Sequence, residues 1–193
     1  IIVAGNIATP EIIGELKNSG VDVVKVGIGG GSACTTRIKT GVGVPQLTAV
    51  TLCVEEAKKH DIKVISDGGI TCPGDVSKAF VGGADFVMMG GELAGHDQGP
   101  GQVIEKDGKK YKEFYGMSSR KAMEKHTGKM NSYRTSEGRE LLIPYKGDLN
   151  NTILDYLGGI RSTCTYINAG NLSDMKTGNK FMHVSTQFNR HLV

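Results

Sequence analysis

The chain lacks a long apolar run, a block of basic residues, and any pairing of histidines or cysteines at metal-ligand spacing. Within its 193 residues no apolar stretch approaches the roughly 18 needed to cross a bilayer, and no signal peptide opens it. The 23 Lys and Arg against 20 Asp and Glu leave a net charge of only +3 with no basic cluster, so nucleic acid is not an expected partner. The four cysteines (Cys34, Cys53, Cys72, Cys164) lack zinc-type spacing and a secretory context. Reduced thiols and a cytoplasmic location are therefore expected. The five histidines (His60, His96, His126, His183, His191) are scattered, which predicts surface or structural roles and no zinc site.

What the chain does have is glycine, 28 residues without a collagen-like period, in a sequence 38% hydrophobic and 22% charged. That composition describes a globular domain with many tight turns. The first 91 residues read as four strand–helix units. Ile1–Ala4 is a strand that ends at Gly5-Asn6. A helix follows from Thr9-Pro10-Glu11, with Ile12, Ile13 and Leu16 as its apolar stripe and Gly20 as its stop. Val21–Val26 is the second strand, and its helix runs from about Pro45 to His60. The third strand, Ile62–Ser66, ends in Asp67-Gly68-Gly69, and Pro73-Gly74-Asp75 opens the next helix. The fourth strand, Ala84–Met89, ends in Gly90-Gly91.

Alternating βα units predict a parallel sheet with helices outside it, either a doubly wound open sheet or part of a (β/α)8 TIM barrel. A whole barrel takes about 250 residues. Four units in a chain that starts inside a strand point to the second half of such a barrel, strands five to eight. The expected organisation is thus a single catalytic barrel domain over residues 1–193, with residues 92–147 as a flap after the last barrel strand. That flap is polar and Lys/Glu/Gly-rich, with a hairpin around Asp107-Gly108 and a short helix near Gly116–Ser119. A last helix is expected over about Asn150–Leu157, and the tail from Asn168 onward as surface or subunit contact.

The chemistry centres on Lys25-Val-Gly-Ile-Gly-Gly-Gly-Ser-Ala-Cys-Thr-Thr-Arg37. A strand delivers the backbone into clustered glycines, whose N–H and C=O groups can turn toward a ligand or ion. Cys34 follows on the loop among the hydroxyls of Ser32, Thr35 and Thr36, a placement that suits a nucleophile or, equally, an incidental buried thiol. Asp67-Gly68-Gly69 and Gly90-Gly91 fall where barrels of this kind hold phosphate, or they simply make tight turns. Asp67 suits a ribose diol better than a phosphate. In the flap, Arg134 and Glu137 are a charged pair that could transfer protons, hold a purine edge or merely be solvated.

These residues carry a resemblance. Gly27–Arg37, Thr40–Gln46, Ser66–Gly69, Pro73–Asp75, Phe86–Gly91 and Leu93–Gly95 are similar to the IMP dehydrogenase/GMP reductase family. Leu93–His96, Gly116–Ser119, Tyr133–Gly138 and Arg161–Tyr166 resemble its reductase branch. The dehydrogenase usually carries Arg-Tyr in its flap, where this chain has Tyr133-Arg134.

The resemblance implies NADPH-dependent reductive deamination of GMP to IMP with release of ammonia, through a thioimidate on Cys34, as part of purine nucleotide salvage. Cys34, Thr36 and Glu137 would be catalytic. GMP would meet Asp67, Gly68, Gly69, Gly90, Gly91, Gly116, Met117, Ser118, Arg134, Thr135, Ser136, Glu137 and Gly138. The dinucleotide would lie along Ile28, Gly29, Met117, Tyr133, Arg134, Ser162, Thr163, Cys164 and Thr165. Potassium would bind near Gly29, Gly31, Cys34 and Arg37, and the protein would form a homo-oligomer, a tetramer. The family commonly has Pro where this chain has Gly30. The runner-up activity is IMP dehydrogenation with NAD; a third reading is a non-catalytic nucleotide-binding scaffold.

Overall fold

The computed structural model describes residues 1–117, 119, 122 and 136–185. Its centre is a four-stranded parallel sheet in sequential order: β1 (Val3–Ile7), β2 (Val23–Val26), β3 (Lys63–Asp67) and β4 (Phe86–Met88). Helices α1 (Ile13–Asn18), α3 (Gln46–Lys59) and α4 (Pro73–Val81) connect these strands, and a short α2 (Thr36–Thr40) follows the cysteine loop. The β2–β3 register pairs Val23 with Lys63 and Val26 with Ser66. All four strands therefore end at one edge of the sheet.

One face of the sheet is covered. Val24, Val26 and Val64 pack with Ile13, Ala49, Val50, Cys53 and Val54 into a continuous core, all of them buried. Each fully buried valine contributes about 1.5–3 kcal/mol relative to exposure. The opposite face carries Val3, Phe86 and Met88, which are 51%, 54% and 44% exposed.

The alternating pattern therefore locates the elements, and the differences lie at their ends. The first strand starts two residues later than expected, because Ile2 spends its carbonyl on Asp22 and Val23 N–H groups before the ladder begins. The first helix begins at Ile13, after a turn in which Ile13 N–H donates to Pro10 O.

The hairpin at Asp107-Gly108 forms as expected, with φ of +52° and +71° at those two residues. It joins β5 (Val103–Lys106) to β6 (Lys109–Tyr115). A strand that lacked a clear pattern, β7 (Glu140–Pro144), completes a three-stranded antiparallel sheet.

The last helix, α5 (Leu149–Tyr166), is capped by Asp148 and runs nine residues beyond the expected end. Gly158-Gly159 reads as a stop but serves packing: a Cβ on Gly159 would lie 2.4 Å from Pro73 Cβ, so the glycine lets α5 press against α4. The tail is not a mere surface segment. Met175 is fully buried against Val76, Phe80 and Tyr156, and Lys176 donates to Asp85 at 2.8 Å. No helix among the described residues is long and apolar enough to cross a membrane.

Candidate active site

The four strand ends open into one cleft of about 630 Å3. Its wall is built from the loops that the glycines shape. Gly68 and Gly69 both have positive φ, +101° and +74°, and Gly69 N–H donates to Gly30 O at 2.8 Å, which ties the β3 turn to the cysteine loop. At Gly91 a Cβ would meet Ser32 Oγ at 2.3 Å, so the β4 turn also closes directly onto that loop.

Residues 116–117 and 137–139 complete the enclosure. Thr35 N–H donates to Glu137 O at 2.8 Å, and Arg139 N–H to Ala33 O at 2.8 Å. Cys34 and Gly138 thereby form an antiparallel bridge. Gly116 N–H donates to Arg139 O, which draws Gly116 and Met117 to the same rim.

Three side chains meet across this bridge. The Cys34 thiol donates to Thr36 Oγ1 at 3.1 Å, and Thr36 Oγ1 donates to Glu137 Oε2 at 2.6 Å. The second distance lies in the short range of hydroxyl-to-carboxylate bonds. A proton on sulfur thus has a continuous path to a carboxylate. Of the other thiols, Cys53 is sealed in the core; burial, with the negative charge of Glu11 adding to it, pushes that thiol up to about 11. It stays protonated at neutral pH and cannot act as a nucleophile.

Cys34, Asp67, Gly68, Gly69, Gly90, Gly91, Gly116, Met117, Glu137, Gly138, Gly29 and Gly31 all line the cleft. Thr36 reaches it through Cys34 and Glu137. Ser136 lies beside Gly138, to whose carbonyl its hydroxyl donates at 3.3 Å. Ile28 offers its carbonyl to Arg37 Nε at 3.1 Å, and Val44 offers its carbonyl to Arg37 Nη2 at 2.7 Å. Ser118, Tyr133, Arg134 and Thr135 lie outside the described residues.

Ser162–Thr165 are not brought to this cleft. They sit on α5, where Thr163 Oγ1 donates to Ser77 Oγ at 2.8 Å and Cys164 packs beside Val76 and Phe80, while Ser162 and Thr165 are exposed. Sequence reasoning also missed lining residues, notably Asn6, Lys25 and Phe114. Lys25 had a signal: it is the one cation in the apolar run Val23–Val26, on the alternate face from Val24 and Val26.

A family model described as the IMP dehydrogenase / GMP reductase domain matches residues 1–190. The chain belongs to this family. Within it, GMP reductase 2 of Homo sapiens is 57% identical over 190 residues, which cover 97% of this chain and 54% of that protein. GMP reductase of Aliivibrio fischeri (strain MJ11) is 53% identical over 189 residues, 98% of this chain and 54% of its own length. The chain thus spans about half the length of the curated relatives it matches. Among solved structures, GMP reductase C318A from Trypanosoma brucei in complex with guanosine 5′-monophosphate superposes with a TM-score of 0.89 at 38% identity, covering 95% of this chain and 38% of that one.

Proposed function

We propose that this member of the IMP dehydrogenase / GMP reductase family acts in the reductive deamination of GMP to IMP, with Cys34 as the nucleophile. The observation that carries the reading is the Cys34–Thr36–Glu137 chain at the mouth of the glycine-walled cleft. Glu137, through Thr36, takes the thiol proton as Cys34 sulfur bonds to purine C2. The C2–N bond to the exocyclic amine then breaks. The same proton returns along the chain to that amine, which leaves as ammonia and so balances the step. NADPH, when bound, supplies the hydride that reduces C2. The C2–S bond breaks afterwards, and Cys34 leaves as a thiolate. Cysteine suits both roles, being nucleophilic and a good leaving group.

Asp67 accepts from the ribose hydroxyls, and the N–H groups of Gly68, Gly90 and Gly91 serve the phosphate, while Gly69, its own N–H held by Gly30 O, shapes the turn around it. The family resemblance assigns Gly116, Met117, Ser118 and Arg134 to Gly138 to base and phosphate; of these, Gly116, Met117, Glu137 and Gly138 line the cleft. The residues present fit a nicotinamide: Gly29 and Met117 line the cleft with Cys34, and the Met117 side chain, 76% exposed at the rim, offers an apolar surface to a flat ring. Ile28 adjoins that border, and the family resemblance assigns Tyr133 and Arg134 to the dinucleotide as well. Ser162–Thr165, remote from this cleft, would meet a dinucleotide only in another copy of the chain, in keeping with a homotetramer.

Carbonyls of Gly29, Gly31 and Cys34 are the oxygen donors a hard cation such as potassium takes. The Arg37 guanidinium, held by the Ile28 and Val44 carbonyls, shapes that loop; as a cation it is no ligand. The open sheet face with Val3, Phe86 and Met88 exposed is the interior face of a barrel, of which these strands would be five to eight.

The test mixes purified protein with GMP and NADPH. One ammonia per NADPH oxidised, abolished in Cys34→Ala, is the expected result. NADH production from IMP and NAD, with none of that activity, would overturn the assignment.

A further inference from the structure

Asp67 is not a free carboxylate. It ends β3 with its side chain 24% exposed, and its Oδ2 is engaged twice: by the Lys25 ammonium in an ion pair, and by Asn6 Nδ2 at 2.9 Å. The second N–H of the Asn6 amide donates to Gly27 O at 2.7 Å. Both Asn6 donors are therefore committed, and the amide cannot turn without losing both bonds. Lys25 is equally constrained in direction. Its neighbours Val24 and Val26 are fully buried toward the helices, so strand alternation sends the lysine to the other face, where the cleft lies. Two adjacent strands, β1 and β2, thus each bring one donor to a single oxygen atom at the end of the third, β3.

The partition between the two carboxylate oxygens decides what Asp67 can bind. Among the described residues no donor reaches Oδ1, although Asp67 lines the cleft. An anionic oxygen has lone pairs enough for two donors and no proton to give. It therefore matches a vicinal diol, which brings two O–H groups from adjacent carbons. Were Oδ2 loose, the carboxylate could rotate and offer either oxygen at a variable distance. Were it unpaired, an anion inside a cleft that also takes a phosphate would repel the ligand's own charge. The Lys25 charge offsets that repulsion.

We propose that Lys25 and Asn6 are positioning residues that hold Oδ2 of Asp67 and reserve Oδ1 for the ribose diol, so that the three select ribonucleotides over 2′-deoxyribonucleotides. The inference rests on the nucleotide reading given under Proposed function.

The test compares GMP with 2′-deoxy-GMP, by steady-state turnover with NADPH and by calorimetric binding, in the purified wild-type protein and in Lys25→Met, Lys25→Arg and Asn6→Leu. A lost hydrogen bond to a charged acceptor predicts a wild-type preference for GMP of about 10- to 100-fold. In Lys25→Met both ligands should weaken as the charge that offsets phosphate repulsion is lost, but GMP should weaken more because its diol contact loosens as well, so the preference should fall to about threefold or less. Lys25→Arg should restore most of it, and Asn6→Leu should lie between.

A lysine that only braces the sheet would weaken both ligands alike, so an unchanged ratio in Lys25→Met overturns the proposal even if activity falls. So does a wild-type preference below about threefold. Ribose-selective binding of GMP without turnover would sink the reductase reading and leave this one standing. Failure of wild-type protein to bind either nucleotide would sink both.

Discussion

Removing the hydroxyl of Thr36 should cost nearly as much as removing the charge of Glu137, and removing both should cost little more. The reason is serial. Sγ of Cys34 is 3.1 Å from Thr36 Oγ1, which is 2.6 Å from Glu137 Oε2, so the carboxylate acts on the sulfur only through the hydroxyl. Positioned proton transfer contributes about 10²- to 10⁴-fold to a rate. Thr36→Val and Glu137→Gln should each lower kcat by about 10²- to 10³-fold, or about 3–4 kcal/mol of activation free energy. Independent contributions would multiply to about 10⁴- to 10⁶-fold in the double variant. Groups acting in series should leave it within about tenfold of the worse single variant. The assay is a single turnover with enzyme in excess, in which ammonia release and NADPH absorbance are followed separately. In the variants the ammonia step should become limiting, so that the absorbance change follows ammonia release with the same rate constant. Multiplicative losses, or a Glu137→Gln variant within about threefold of wild type, would refute the serial path.

Two further predictions concern the scaffold. At the start of α4, burial pushes the Asp75 carboxyl up, but the Thr71 N–H and hydroxyl and the Lys78 ammonium outweigh it and hold the carboxyl below its ordinary value. A depressed folded value stabilises above the ordinary 3.8 and is lost as pH falls through the folded value. Asp75→Asn should therefore cost about 1–2 kcal/mol at pH 7, and the gap to wild type should narrow below about pH 4. Urea melts at pH 7 and pH 3 check this; a constant gap would count against it. The glycine pair in α5 should respond with opposite signs. Gly158→Ala, with nothing within 4 Å of the new Cβ, gains about 0.5–1 kcal/mol of helix propensity. Gly159→Ala, facing Pro73 at 2.4 Å, should destabilise by about 1–3 kcal/mol despite the same propensity gain. Thermal melts of the two variants that shift in one direction would contradict the packing described for α4 and α5.

Much of this was legible in the sequence because the parallel sheet writes itself locally. β2, β3 and β4 are short apolar runs followed closely by glycine, and the cleft glycines, Asp67 and Cys34 lie at those ends; β1 instead runs through the expected stop at Gly5-Asn6 to Ile7. The rest depended on tertiary pairing. Nothing in Glu140–Pro144 marks a strand until β6 offers it an edge. Gly158-Gly159 reads as a helix stop because propensity carries no record of Pro73 on the facing helix. Met175 sits in a polar stretch, and only the hollow beside Phe80 and Tyr156 explains its burial. Lys25 and Asn6 escaped notice because their partner is a residue two strands or one strand away. Glu137 was readable as one of a charged pair and Thr36 as a hydroxyl beside Cys34, but their catalytic roles came from family resemblance; their 101-residue separation hides the contact from any local pattern.

That separation has a consequence for how the protein acquires its chemistry. Cys34 and Thr36 are two residues apart and can meet as soon as the β2 loop forms, whereas Glu137 arrives only when the bridge between Cys34 and Gly138 closes a loop of about a hundred residues. Loop closure of that length is entropically opposed by roughly 4–5 kcal/mol, so the carboxylate should reach its place later than the thiol and hydroxyl. A chain caught before this closure would possess the sheet, the core and the thiol, yet the thiol would have no acceptor for its proton. Competence for catalysis is then a late report on folding: far-ultraviolet dichroism should recover before the enzyme does when denaturant is diluted away.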